Sequence, residues 1–294
     1  MSNLPVSDAR GTTPLPEKSR RKGVFARLLR NWSGLVGLVL VSGYVFVALF
    51  AGFLAPYPPN AQHAVDRLQP PSSTYLLGTD EFGRDILSRV IFGAQNSLKV
   101  ALSSVAIATL LGGALGMGAG YLGGAADNVT MRVVDLLFAF PAILLALFIS
   151  AVLGPGERNT IIAISIVYLP IFARVTRASV LNVKDSDYVD AARSMGARDS
   201  RIIRWHILPN ALAPIIVQIS LALSWAILTE ASLSFLGLGV VPPAPSWGAM
   251  LSEGRVLMEL APWTVFMPGV AIVVAILGFN LLGDGLRDVL DPKL

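Results

Sequence analysis

The sequence contains no cysteine, which excludes disulfides, thiolate metal sites and a cysteine nucleophile. It has only two histidines, His63 and His206, far apart in the chain and in different segments, so neither a histidine metal centre nor a catalytic dyad has a basis. Charge is scarce as well. Only 14% of the 294 residues are charged, against about a quarter in soluble domains. With 54% hydrophobic residues and a mean hydropathy of +0.64, this composition describes an integral membrane protein. There is no Gly-Lys dipeptide, so the phosphate-binding loop that ends in Gly-Lys-Ser/Thr is missing. The His-Glu-x-x-His and Gly-x-Ser-x-Gly patterns are missing too, and with them the chemistry of a membrane protease or lipase. The net charge of +4 does not indicate nucleic-acid binding, because the basic residues sit beside hydrophobic runs, where they report orientation in a membrane.

What is present is a series of apolar runs. Gly34 to Ala55 gives 22 residues without a charge, enough to cross a hydrocarbon core that needs about 20 in a helix. Further spans are read at Val100 to Tyr121, Val133 to Leu153, Ile161 to Ala173, Ala211 to Leu236 and Trp263 to Leu282. The expected fold is therefore all-α, a polytopic bundle of six transmembrane helices. Its parts are a tail over 1–30 leading into a short basic interfacial helix, a first span and long connection over 31–96, a core domain over 97–284 and a second tail over 285–294. The apolar run after the tail has the length of a span and no small-residue cleavage site, which argues against a cleaved signal peptide.

Several residues stand out against this apolar background. Gly112, Gly116 and Gly120 recur at four-residue spacing, a small-residue ridge that lets a second helix approach closely in lipid. Pro141 is read as a tolerated kink in the third span, and Asp135 as pairing with Arg132 one turn away. Glu230 lies near the far end of the fifth span, either on a gate or substrate path or paired with an external partner. An Asp-Arg-Asp cluster at Asp80, Arg84 and Asp85 has no His or Cys nearby, a poor donor set for a metal. A polar island occupies about 185–210. In it Tyr188, Ala191, Ala192 and Met195 line one face of a short helix. Asp187 and Asp190 are placed as a variant capping box, and Gly196 supplies the left-handed residue that ends the helix. A second short helix follows and is expected to break at Pro209.

This island resembles the cytoplasmic loop of binding-protein-dependent ABC importer permeases, whose pattern is Glu-Ala-Ala, three residues, Gly, nine residues and Ile-x-Leu-Pro. Asp190, Ala191, Ala192, Gly196, Leu208 and Pro209 fill those places, with Asp190 for Glu and His206 for Ile. Leu77-Gly78-Thr79-Asp80 with Gly83-Arg84-Asp85, the run from Thr229 to Gly239, and Ser246-Trp247-Gly248 resemble the dipeptide and oligopeptide branch. The resemblance runs from Arg30 nearly to the end, including Asp291-Pro292-Lys293-Leu294.

The resemblance implies a permease subunit with the type I ABC importer permease fold and no catalytic site. It implies docking on an ATPase through Tyr188, Asp190, Ala191, Ala192, Met195, Gly196, Leu208 and Pro209. ATP and Mg would be bound by two partner ATPase subunits, with no cofactor in this chain. A homologous second permease and a periplasmic or lipid-anchored substrate-binding protein would complete the assembly in the bacterial inner membrane. Di- or oligopeptides are the implied cargo; nickel chelates, opines or glutathione are alternatives carried by similar permeases. Seventeen of the 23 Lys and Arg residues fall on the side of the termini and the island, five on the other, and Lys99 sits at a boundary. That asymmetry predicts cytoplasmic termini. A secondary transporter is the competing class, but its ionisable and unwound elements gather near the midplane, whereas these charges gather in one loop.

Overall fold

The structure, a computed structural model, describes residues 24–290. The basic run from Arg10 to Lys22 and the final Asp291-Pro292-Lys293-Leu294 lie outside these residues. Twelve α-helices are found among the described residues, and strand pairing is limited to one isolated bridge between Thr79 and Asp85. A short helix α1 (Val24–Leu28) precedes α2 (Trp32–Leu49), which is capped by Asn31 and continues after Phe50 as α3 (Ala51–Leu54). Helices α4 (Ile86–Leu122), α7 (Glu157–Lys184), α10 (Leu208–Phe235) and α12 (Trp263–Leu290) form the long members of the bundle. Five helical segments are long and apolar enough to cross a membrane, six if α5 (Gly124–Phe138) and α6 (Ala142–Leu153) count as one broken span.

The small-residue ridge explains why α4 and α7 pack so closely. A Cβ added at Gly112 would lie 2.4 Å from the Leu169 carbonyl oxygen, and one at Gly116 only 2.2 Å from that of Ala173. At Gly120 the obstacle is the Val180 side chain, 2.9 Å away. Lipid offers little hydrophobic drive for association, so this backbone proximity supplies dispersion contacts that larger residues would forbid. Serines add polar ties along the same seam. Ser165 donates to the Ser104 carbonyl at 3.2 Å, and Ser104 donates to that of Ile161 at 3.3 Å.

Four boundaries differ from those the apolar runs suggest. Helix α4 begins at Ile86, so residues 86–96 belong to a helix and not to the preceding connection. Asp85 caps it by accepting from the Ser88 N–H at 2.8 Å, and the polar side chains that hide this turn in the sequence are buried and partnered. The third span is more than kinked at Pro141: α5 and α6 meet at 88°. Asp135 consequently reaches Arg174 of α7 at 2.6 Å and does not pair with Arg132. The fourth span is not short, because α7 continues through Arg174 and Arg177 to Lys184. Likewise 285–290 complete α12 and are no free tail.

Candidate functional site

The polar island folds as α8 (Asp187–Ser194), α9 (Asp199–Ile202) and a wide π turn (Ile203–Ile207) that runs directly into α10. Pro209 does not break the chain. It sits in the first turn of α10, where a missing N–H leaves no gap, and the preceding turn widens so that the Leu208 N–H reaches the Ile203 carbonyl. From Asp199 to Phe235 the segment therefore reads as one 37-residue helical stretch.

The N-cap of α8 is Ser186, and no capping box forms at Asp187. The Ser186 hydroxyl turns back to donate to the Val183 carbonyl at 2.6 Å, and no side chain caps the first turn. Asp187 and Asp190 instead lie in that turn, where the helix dipole favours negative charge, and Asp190 pairs with Arg193 at 3.0 Å on the surface. The other end closes as a Schellman motif. Gly196, at φ +78°, donates to the Arg193 carbonyl at 3.0 Å, and Ala197 donates to that of Ala192 at 3.1 Å.

What holds the island is a small apolar cluster of Val180, Val189, Ile202 and Ile207, all fully buried, flanked by Met117 and Tyr121. Ala192 belongs with that inward face, since it is 3% exposed. Its expected place on an outward contact face is thus corrected: Val189 and Ala192, three apart, point into the chain's own core. The outward side chains are Tyr188, Ala191 and Met195, the last 81% exposed, with Leu208 and Pro209 accessible nearby. The Tyr188 and His206 rings lie 6.4 Å apart, so the π turn flanks the outward face of α8. Polar ties fix the cluster from behind. Tyr121 donates to Asp199 at 2.5 Å, and the Lys184 ammonium donates to the Gly120 carbonyl at 3.1 Å, closing the end of α4. Arg177 grips Asp127 of α5 through two nitrogens.

Glu230 sits at the opposite end of α10 and is completely buried. One carboxylate oxygen accepts from Ser97 of α4 at 2.8 Å; the other accepts from Ser234 at 2.7 Å and Ser246 at 3.3 Å. Ser246 is also the N-cap of α11 (Trp247–Gly254), and Ser234 accepts from the Val240 N–H at 3.3 Å. Both oxygens are filled by hydroxyls of this chain, and the residue joins α4, α10 and α11.

A second polar knot takes up Asp80 and Arg84 of the Asp-Arg-Asp cluster and adds Arg89 and Glu253, which the sequence reading did not single out. Asp80 and Glu253 share the guanidinium groups of Arg84 and Arg89, with Arg84 2.5 Å from Asp80 and 2.9 Å from Glu253. The Asp80 carboxylate is thereby committed to arginine, and Asp85 to the N-terminus of α4. Arg84, Asp85 and Arg89 close together before an apolar helix were the available signal; Glu253 gave none.

Two family models match this chain. The family described as binding-protein-dependent transport system inner membrane component matches residues 112–294, more than half of the sequence and all of the island. The N-terminal transmembrane domain of oligopeptide transport permease C matches residues 19–71. A dipeptide transport system permease protein of Alkalihalophilus pseudofirmus is 44% identical, covering 99% of this chain and 97% of its own length. A di/tripeptide transport system permease protein of Pseudomonas aeruginosa is 47% identical, covering 100% and 98%. Among solved structures, an inward-facing methionine ABC transporter, MetNI, shares the fold with a TM-score of 0.56 at 19% identity, over 69% of this chain and 97% of that one. An all-helical bundle with this close α4 to α7 seam, matched over nearly its whole length, belongs to the binding-protein-dependent transport system inner membrane components.

Proposed function

We propose that this chain is the transmembrane permease subunit of an ATP-driven importer of di- and oligopeptides in a bacterial inner membrane. The island is its socket for an ATPase. The observation that carries this reading is the outward face of α8: Tyr188 and Met195 project from a helix held rigidly from behind by Val180, Val189, Ile202 and Ile207. A large apolar side chain such as Met195, 81% exposed beside charged neighbours, suits a protein surface better than water. The peptide cargo rests on the relatives named for dipeptides and di/tripeptides. ATP and Mg are bound by two partner ATPase subunits, and this chain holds no cofactor. A homologous second permease forms the other half of the path, and a separate binding protein delivers the peptide. The lysine and arginine asymmetry supports cytoplasmic termini, with α8 on the cytoplasmic face and α11 on the periplasmic one. The core from α4 to α12 carries this machinery, with α2, α3 and the residues before Ile86 as an added span and periplasmic connection.

Reconstitution tests the assembly. Peptide uptake into proteoliposomes is expected only when this chain, a second permease, the ATPases and the binding protein are all present. Uptake by this permease and an ATPase alone would refute the heterodimer. Replacing Met195 with Asp is expected to lower recovery of the ATPase with the permease by at least tenfold while leaving insertion intact. Orientation is checked with single cysteines, which meet no native thiol background. In intact cells an impermeant reagent is expected to label S252C and to spare S200C.

A further inference from the structure

At the α11 end a cleft of about 240 Å³ opens between the loop after α6, the end of α10 and α11 itself. Its wall is mostly apolar, with Pro155, Val240, Val241 and Pro242, and Ser252 adds a hydroxyl. Glu253 is the one charged residue on that wall among the described residues. The geometry of this carboxylate is asymmetric. Oε2 faces inward and accepts from Arg84 at 2.9 Å and Arg89 at 3.5 Å, whereas Oε1 receives no hydrogen bond from any described residue. The side chain is 30% exposed. Arg255, the nearest cation along the chain, is turned onto the Phe235 ring at 5.3 Å. Glu230, close by, offers nothing comparable because both its oxygens are occupied.

We propose that this cleft is a binding site for a primary ammonium group, with Glu253 Oε1 as its acceptor and the amino terminus of a peptide as the group bound. The last part rests on the peptide reading given above. An apolar cleft with one unsaturated carboxylate oxygen matches the usual build of a small-molecule site, in which few polar groups orient a ligand held mainly by apolar walls. Its volume is below the roughly 300–1,000 Å³ that encloses a whole ligand. It therefore holds one end of a chain and not its full length. A peptide amino terminus, with a pKa of about 7.7–8.0, is largely protonated at neutral pH whatever the side chains that follow. A site for that group serves many sequences equally. The two arginines hold the carboxylate through Oε2 and leave Oε1 without a hydrogen bond from any described residue.

The test uses the full-length chain with Ser252 replaced by cysteine, purified in nanodiscs. The Ser252 side chain makes no hydrogen bond to any described residue, so the replacement costs little, and the protein has no other thiol. Its reaction is followed with a cationic, an anionic and a neutral methanethiosulfonate, the neutral reagent normalising for access. Glu253→Gln is expected to lower the cation-to-anion rate ratio about tenfold, the scale of one charge removed a few ångströms away. The amide oxygen can still accept from Arg84, which keeps the knot assembled. In the S252C protein with Glu253 intact, trialanine at millimolar concentration is expected to slow labelling and N-acetyl-trialanine to leave it unchanged. That arm needs no variant at Glu253 and stands even if E253Q misfolds. An unchanged ratio in folded E253Q, equal protection by the two peptides, or protection by neither trialanine nor ethylammonium, overturns the site. Protection by ethylammonium but not by trialanine keeps the ammonium site and removes the peptide reading.

Discussion

The two ends of the bundle are built differently. At the α11 end the ties are buried and cross several elements: Glu230 joins three helices, Arg84 and Arg89 bind Glu253 across the chain, and the Trp247 and Trp263 indoles donate to the Val90 and Thr79 carbonyls. At the α8 end they are more exposed, even where they run between helices, as from Tyr121 to Asp199 and from Arg177 to Asp127. Asp190 pairs with Arg193, Asp135 with Arg174, and a four-residue apolar cluster seats the whole island. A buried, multiply connected polar knot resists displacement, whereas exposed ion pairs contribute little and exchange readily with water. The molecule thus joins a stiff α11 end, tied by buried polar groups, to an α8 end whose polar ties are more open to water.

This contrast is open to direct attack, and the largest effect is expected at the stiff end. Replacing Arg84 with Met leaves Asp80 and Glu253 short of their main partner and is expected to destabilise by about 3–5 kcal/mol, the usual cost of breaking a buried pair. Thermal unfolding in detergent measures it. Glu230→Ala removes the acceptor of three serine hydroxyls and opens a cavity. It is expected to cost about 2–4 kcal/mol, with Glu230→Gln recovering at least half. A smaller loss for Glu230→Ala than for any change at the α8 end would dissolve the distinction between the ends. Between them, Gly116→Leu forces α4 from α7 and is expected to cost about 1–3 kcal/mol, read from the unfolding midpoint of the purified chain. At the α8 end, Gly196→Val sets a β-branched residue at positive φ, for about 1–2 kcal/mol confined to the island. Hydrogen exchange should quicken in α8 and α9 but not in α11. The smallest effect belongs to Asp190→Ala, within about 1 kcal/mol, because its pair with Arg193 is exposed.

Much of this architecture is legible in the chain, for reasons that also mark where it stops. Six runs of apolar residues carry a strong signal, since crossing lipid demands both length and lack of charge. The ridge of Gly112, Gly116 and Gly120 is visible because backbone contact leaves no alternative to small residues. Helix ends are less visible. Ile86–Asn96 carry polar residues that are buried and paired, which hydropathy reads as solvent, and Pro141 carries no mark that separates a mild kink from a right-angle break. In the island, eight residues of helix span barely two turns. Two overlapping faces, one through Tyr188 and Met195 and one through Val189 and Ala192, both fit the spacing. Val189 was the clue to the inner one, being the only β-branched residue in α8. The Glu230 cage and the knot around Glu253 depend on contacts between residues more than a hundred positions apart, which no local pattern contains.

The wide turn at Ile203–Ile207 has a mechanical consequence. By absorbing Pro209 it joins α9 to α10 without a break in the helix, so that Asp199 and Phe235 are the ends of one helical beam of 37 residues, about 55 Å long. A beam of that length tilting by about 5° around its middle swings each tip by roughly 2–3 Å in opposite directions. Displacement at Asp199 then arrives, reversed in sense, beside Glu230.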